Sequence, residues 1–363
     1  MKKILLVATG LGTGGAERLV VNLADYFSSQ GHQVTLAYMT GKDGIFFQPK
    51  DKKINLVDLK VTKDPIGFIK GLKNFISLIK EINPDVVHSH MYHANIFTRI
   101  ARVFAPIKKL ISSAHNTNEG GKLRMIAYRV TDSIPDISTN VSDEALEAFI
   151  NKKATKPGRM IPIENGIDTS YFSFNNESRI NIRKKLNISK SESLLLAAGR
   201  LTEAKDYQNL FQALKKSLIE NSNIKLVIAG IGPLEAELKA LSKKLGLENK
   251  ILFLGAYSDM PALMSGADCF VLSSLWEGFG LVVAEAMACE RVVVATDCGG
   301  VKEVLGDCGF LLPKGNSDLL AENIINALAL DKTEKDALGK RARTRVVERF
   351  SIEKNAEEYF KLY

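Results

Sequence analysis

Short apolar runs alternate with helix-periodic segments along this chain, and the series starts twice. From residue 1 to about 165 the strand-like runs are KILLVA, QVTLAY, INLVDL, DVVHS, KLISSA, DISTNV and RMIPI. Near residue 194 the series restarts with LLLAAGRL, followed by a helix over 207–220, IKLVIAG, a helix over 234–246, KILFLG, DCFVLS, a helix over 281–289, RVVVAT and GFLL. Strands separated by helices run parallel, with helices covering both faces of the sheet. Two such series in 363 residues predict two Rossmann-like domains. The expected fold class is α/β, with residues 1–167 as the first domain, the polar stretch 168–192 as a connector and 193–346 as the second domain. The end of the chain, 334–361, reads as helical and charged. In open sheets of this kind ligands sit outside the carboxyl ends of the strands. Loops of both domains are therefore expected around one cleft.

The first of those loops is the most conspicuous. In VATGLGTGGAERLVVNL, Gly10, Gly12 and Gly15 fit G-x-G-x-x-G. The stretch places a glycine turn between an apolar strand and a helix whose apolar stripe is Leu19, Val20, Leu23, Ala24 and Phe27. Backbone N–H groups and a helix N-terminus then converge where an anion is stabilised. A dinucleotide site also needs an acidic residue about 20 positions on, at the end of the second strand. That strand ends in Tyr38, Met39 and Thr40, and Asp43 comes late, in a turn. The glycines thus favour another phosphate ligand over NAD.

No uninterrupted apolar run reaches about 18 residues, so no membrane span is expected. MKKILLVA resembles the start of a signal peptide, but a glycine turn and Glu17 follow, and it reads as the first strand. Cys269, Cys289, Cys298 and Cys308 form no C-x-x-C pair, which suits reduced thiols in a cytoplasmic protein. The charge is uneven. Residues 1–165 hold 23 Lys+Arg against 15 Asp+Glu, whereas 166–363 hold 26 of each. An anionic partner for the first half follows, whether membrane surface, nucleic acid or substrate. In DPIGFIKGLKNFISLIKEINP, an apolar face of Ile66, Ile69, Leu72, Phe75, Ile76 and Ile79 accompanies Lys70, Lys73 and Lys80. It fits either a helix packed on the core or an interfacial helix on anionic lipid. Aromatic residues are not interleaved with the basic ones, which argues against nucleic acid.

Chemistry gathers at the expected strand ends of the second half. Arg200 and Lys205, five residues apart after a strand, could clamp a diphosphate. Glu277 and Glu285 are eight apart in EGFGLVVAE, about 12 Å along a helix, wider than the carboxyl pair of a glycosidase. Gly278 and Gly280 suggest instead that Glu277 sits on a loop and Glu285 two turns into a helix. The two carboxylates would then bond different hydroxyls of one long ligand. His88, His90 and His93 could be metal ligands, but no acidic or cysteine neighbour accompanies them, and the chain has no D-x-D. His115 opens a polar loop after the strand KLISSA, at a carboxyl end.

Taken in order, GGAERLVVNLA, PDVVHSH, SAHNT, NGID, AAGRLTEAKD, IAGIGP, FLG, SSLWEGFGLVVAEAMA and VVATDCGG resemble the retaining glycosyltransferases of family 4, over nearly the whole chain. The resemblance implies the GT-B fold, two facing Rossmann-like domains with a cleft between them, and a last helix near 347–363 that crosses back to the first domain. It implies that Gly14 and Gly15 face the donor phosphates, with Arg200 and Lys205 on the diphosphate. Glu277 with the amides of Gly278, Phe279, Gly280 and Leu281 would hold the donor sugar, Glu285 the ribose, and His115 the reacting sugar near the acceptor. The catalytic group so implied is His115, Glu277, Arg200 and Lys205. The implied donor is a nucleoside-diphosphate sugar, first UDP-linked, and the implied acceptor a lipid-linked saccharide for a surface polysaccharide or glycan, with no metal or other cofactor. The expected location is the cytoplasm or, through the basic half, the inner membrane face. Cys298 in the TDCGG loop departs from the family pattern. A nucleotide-sugar epimerase of the same fold and a non-catalytic nucleotide-binding protein stay open beside the transferase.

Overall fold

The computed structural model describes residues 1–12, 14–41, 45–117 and 119–363. Asp43 lies outside them. The chain divides into two units, Met1–Gly166 with Ile352–Tyr363, and Ile167–Ser351.

The first unit runs β1 (Lys3–Ala8), α1 (Gly15–Ser29), β2 (Gln33–Tyr38), β3 (Asn55–Asp58), α2 (Pro65–Ile82), β4 (Val86–His90), α3 (Tyr92–Phe104), β5 (Leu110–Ser113), α4 (Lys122–Val130), β6 (Ile137–Asn140), α5 (Asp143–Asn151) and β7 (Met160–Pro162). Its seven strands lie in the order β3-β2-β1-β4-β5-β6-β7, and every pair is parallel. Ile4 to Ala8 are wholly buried, because helices on both faces leave no polar side to the strand. Leu19, Val20, Leu23, Ala24 and Phe27 of α1 are buried against that sheet, as their spacing requires.

Helix α2 departs from its expected face. Phe75 and Ile79 are buried, with Gly71 and Leu78, but Ile66 and Ile69 are 80% and 54% exposed. Phe68 and Gly71 of the first two turns pack inward, whereas Ile66, nine residues and so about 180° from Phe75, lies on the opposite side of the helix, with Ile69 toward that side. Asp64 caps the helix by accepting the Gly67 N–H, which fixes its first turn.

The second unit runs α6 (Asn176–Lys185), β8 (Ser193–Ala198), α7 (Tyr207–Glu220), β9 (Ile224–Ala229), α8 (Glu235–Lys244), β10 (Ile251–Gly255), α9 (Met260–Gly266), β11 (Cys269–Leu272), α10 (Leu281–Ala288), β12 (Val292–Asp297), α11 (Val301–Leu305), β13 (Phe310–Pro313), α12 (Ser317–Ala329) and α13 (Lys332–Arg349). Its parallel strands are ordered β10-β9-β8-β11-β12-β13.

The polar stretch 168–192 is not a free connector. It carries α6, whose Arg179 and Arg183 both pair with Asp268 at 2.5 and 2.9 Å, while Arg343 donates to the carbonyls of Thr169 and Phe172. Its polarity is that of a surface helix fastened by arginines. The charged tail is two helices, α13 and then α14 (Ile352–Leu362), and the return to the first unit falls at Ile352 rather than near 347. Val346 and Phe350 stay in the second unit, the Phe350 ring edge-on to Phe279. Helix α14 packs on α1, with Phe27 against the rings of Phe360 and Tyr363. Among the described residues no helix is long and apolar enough to cross a membrane.

Candidate functional site

Strand order reverses between β1 and β4 in the first sheet and between β8 and β11 in the second. Loops leaving the carboxyl ends of the strands diverge at such points and leave room for a ligand. The chemistry-bearing motifs fall at or beside both.

In the first unit, Gly14 is the N-cap of α1 and Gly15 its first residue, and no side chain caps this end. A Cβ at Gly14 would lie 2.2 Å from Glu17 Oε2. The glycine therefore makes room for the Glu17 carboxylate, folded back over the turn. A Cβ at Gly10 would press on the Thr40 carbonyl at 3.3 Å.

His115 stands just beyond β5. Its Nε2 lies 3.1 Å from Nδ1 of His90, and its backbone N–H donates to Glu119 Oε1 at 3.3 Å. Burial pulls the His115 ring down to about 4 and pushes the Glu119 carboxyl up to about 7, the latter offset in part by the His115 N–H and the Arg124 charge. His88 and His90 are wholly buried, with centroids 3.9 Å apart. His88 is bonded on both nitrogens, to Tyr363 Oη and Ser113 Oγ, each at 2.7 Å. His93 is exposed on α3, away from that pair's burial. Among the described residues no three His, Cys, Asp or Glu side chains converge as metal ligands.

In the second unit, Lys205 ends a single 3₁₀ turn, Glu203–Lys205, and its Nζ lies 2.5 Å from Glu277 Oε1. Ser274 Oγ donates to the same oxygen at 2.6 Å, and Ser273 Oγ donates to the Lys205 carbonyl at 2.7 Å. Gly199, at φ +149°, lets the lysine stem pass, since a Cβ there would lie 2.6 Å from Lys205 Cε. Arg200 is exposed at the same strand end. Gly280 is left-handed at φ +88° and caps α10, so the chain turns into the helix just after Glu277 to Phe279. A Cβ at Gly299 would meet the Glu277 carbonyl at 2.2 Å, and the Gly300 N–H donates to Gly278 O at 3.1 Å. The EGFG and TDCGG loops thus lie backbone on backbone. Phe279 is buried and turned inward, which leaves only its backbone to a ligand. Glu285, 7% exposed, is the fifth residue of α10, little more than one turn in rather than two, because the helix starts only at Leu281.

Lys205 and Glu277 are therefore brought together, with the glycines of both loops around them. Separately, His90 and Glu119 adjoin His115 in the first unit and Ser274 braces Glu277 in the second; the sequence points to His90 only as a metal ligand and does not single out the other two. Glu119, four residues after His115 and just before two glycines, was the available signal. Cys298 is buried, and its thiol is pushed up to about 12 by burial and by Glu277, so it stays a neutral, inert group beneath the loop.

Comparison with known proteins gives one answer. Residues 13–171 match the family described as Glycosyltransferase Family 4, and residues 178–345 that described as Glycosyl transferases group 1. The chain is 30% identical over 295 residues to the N-acetyl-alpha-D-glucosaminyl L-malate synthase of Bacillus anthracis, covering 77% of this chain and 74% of that protein. It is 27% identical over 380 residues, 99% of each, to the N-acetylgalactosamine-N,N'-diacetylbacillosaminyl-diphospho-undecaprenol 4-alpha-N-acetylgalactosaminyltransferase of Campylobacter jejuni. Among solved structures, HepE of Anabaena with UDP-glucose superimposes with a TM-score of 0.84 at 22% identity, over 99% of both chains, and shares the GT-B fold.

Proposed function

This chain belongs to glycosyltransferase family 4, and within it we propose a retaining enzyme that moves a sugar, first an N-acetylhexosamine, from UDP to a polyprenyl-diphosphate-linked saccharide. The observation that carries the reading is the Lys205–Glu277 pair, braced by Ser274 and set between glycine-rich loops at strand ends. Without donor the two charges neutralise each other. A diphosphate offers Lys205 a stronger partner, and Glu277 is then released to accept bonds from sugar hydroxyls, so neither charge is left alone. Arg200 adds a second cation to the diphosphate. The backbone from Gly278 to Leu281 supports the sugar, Glu285 the ribose, and Gly14 and Gly15 the phosphates once Glu17 moves aside. His115 serves the reacting sugar and acceptor. The departing diphosphate takes the acceptor's proton while Arg200 and Lys205 stabilise the charge it develops, so the reading requires no metal ion.

The lipid-linked acceptor draws support from the first unit. Leu123, Ile126 and Val130 of α4, at i, i+3 and i+7, are 83%, 50% and 70% exposed and stand beside Lys122 and Arg129. They make an apolar, basic face suited to an anionic membrane surface. The relative from Campylobacter jejuni is named for a diphospho-undecaprenol substrate, which favours this acceptor class over the malate of the Bacillus anthracis enzyme. A thermal-shift screen of UDP, GDP, ADP and NAD, each with and without EDTA, tests the donor. A shift with UDP that ignores EDTA is expected, and a shift with NAD alone contradicts the reading.

A further inference from the structure

The ring of His115 is held by a second histidine. His115 Nε2 and His90 Nδ1 are 3.1 Å apart, with ring centroids 5.3 Å apart and planes within 28° of parallel. The two outer nitrogens, His90 Nε2 and His115 Nδ1, are buried without a partner. A neutral imidazole carries one N–H, so a bond between two neutral rings has two arrangements. If His115 donates from Nε2, His90 keeps an unpaired N–H on its own Nε2. If His90 donates from Nδ1, the unpaired N–H belongs to His115 Nδ1.

A buried N–H without an acceptor costs the desolvation of a strong donor, and such groups are rare. His90 is 0% exposed and packed on His88 and Tyr359, where no ligand reaches. His115 is half-buried, on the loop at the carboxyl end of β5, the end of the sheet that receives ligands. The second arrangement therefore puts the unmet donor on the ring at the ligand-receiving end of the sheet, where a small movement lets a substrate oxygen meet it.

We propose that His90 is a positioning residue that fixes His115 as its Nδ1–H tautomer, so that His115 presents a neutral hydrogen-bond donor to a substrate oxygen and does not act as a base. The inference rests on the reading of His115 as a group serving transfer. Burial keeps both rings neutral, His115 at about 4 and His90 well below the ordinary histidine value. The charged and titratable groups around them are His88, Glu119, Arg124 and Tyr359. The backbone is braced too: the His115 N–H donates to Glu119, and Arg124 Nη1 donates to the Glu119 carbonyl at 2.9 Å. With His115 a donor, the acceptor's proton has to leave by another group, as it does when the departing diphosphate takes it.

The test is long-range proton–nitrogen NMR of the full chain labelled in its histidine rings, with His115 assigned by its loss in His115→Gln. The expected result is one tautomer at neutral pH, with the proton on Nδ1. His90→Phe keeps a stacked ring and removes the donor. It should release that tautomer and lower kcat roughly tenfold or more, with KM for the donor within about twofold. His90→Asn, whose amide nitrogen sits near the position of Nδ1, should restore most of the rate. A proton on His115 Nε2, a ring that titrates near the ordinary histidine value, full activity in His90→Phe, or no rescue by Asn each overturns the proposal. If His90→Phe does not fold, the tautomer in the unmodified protein decides alone. Wild-type transfer by His115→Gln would instead overturn the role of His115, whatever its tautomer.

Discussion

Replacing Lys205 with Met removes the ammonium from Glu277 while an unbranched stem still lies against Gly199. The two side chains are only 15% and 14% exposed. Breaking a fully buried pair costs about 3–5 kcal/mol, because one charge is left uncompensated. Glu277 keeps the Ser274 hydroxyl and some access to water, which brings the cost nearer about 2 kcal/mol. For a domain of about 150–250 residues that lowers Tm by about 4–8 °C. In the double variant Lys205→Met/Glu277→Gln no orphaned carboxylate remains, and most of the lost Tm should return. UDP binding should behave differently. Loss of a charge-assisted bond worth about 1.5–3 kcal/mol weakens Kd roughly 10- to 150-fold, in the single and the double variant alike. Scanning fluorimetry and titration calorimetry on three proteins give both readouts. If the single variant melts like the parent, the pair is not a buried dependency. If UDP binds all three equally, Lys205 does not hold the diphosphate.

Gly199→Ala should lower both Tm and UDP affinity, because the new methyl meets the Lys205 stem at 2.6 Å in a backbone region only glycine favours; unchanged calorimetric Kd would show that the stem has room. Glu119, raised from 4.5 to about 7 chiefly by burial, binds its proton more tightly in the folded chain, so its contribution to stability is present below pH 4.5 and is lost as pH rises through about 7. Melts of Glu119→Gln and the parent across that range should therefore diverge as pH rises, the parent becoming relatively less stable, and parallel curves would refute the shift. Leu123→Asp with Ile126→Asp, both on the exposed face of α4, should abolish co-sedimentation with anionic vesicles and leave UDP affinity unchanged; retained sedimentation would move the membrane contact elsewhere.

Much of this was readable from the residues. The two sheets follow from apolar runs too short for helices and separated by helix-periodic segments, and Glu277, Lys205 and His115 are candidates because they fall at strand ends, where ligands collect. What escaped depends on packing at longer range. Ile66 and Ile69 of α2 join the apolar series in the sequence, yet the side of the helix that packs is that of Phe68, Gly71, Phe75 and Ile79, and which side faces the core is settled only by the neighbouring helix and strands. Residues 168–192 look like a linker until Asp268, some 80 positions later, fastens Arg179 and Arg183. Gly14 reads as a phosphate turn, yet its missing side chain is also what admits Glu17. His90 suggested metal chemistry because its partner lies on the next strand's loop, 25 residues on.

The most direct test of the central claim is transfer itself. The protein is incubated with a UDP-sugar, a synthetic polyprenyl-diphosphate-linked saccharide and EDTA, and the product is read by mass spectrometry and NMR. The account predicts one added sugar whose anomeric configuration is that of the donor. An inverted product, or a donor epimerised while the acceptor is untouched, would contradict it.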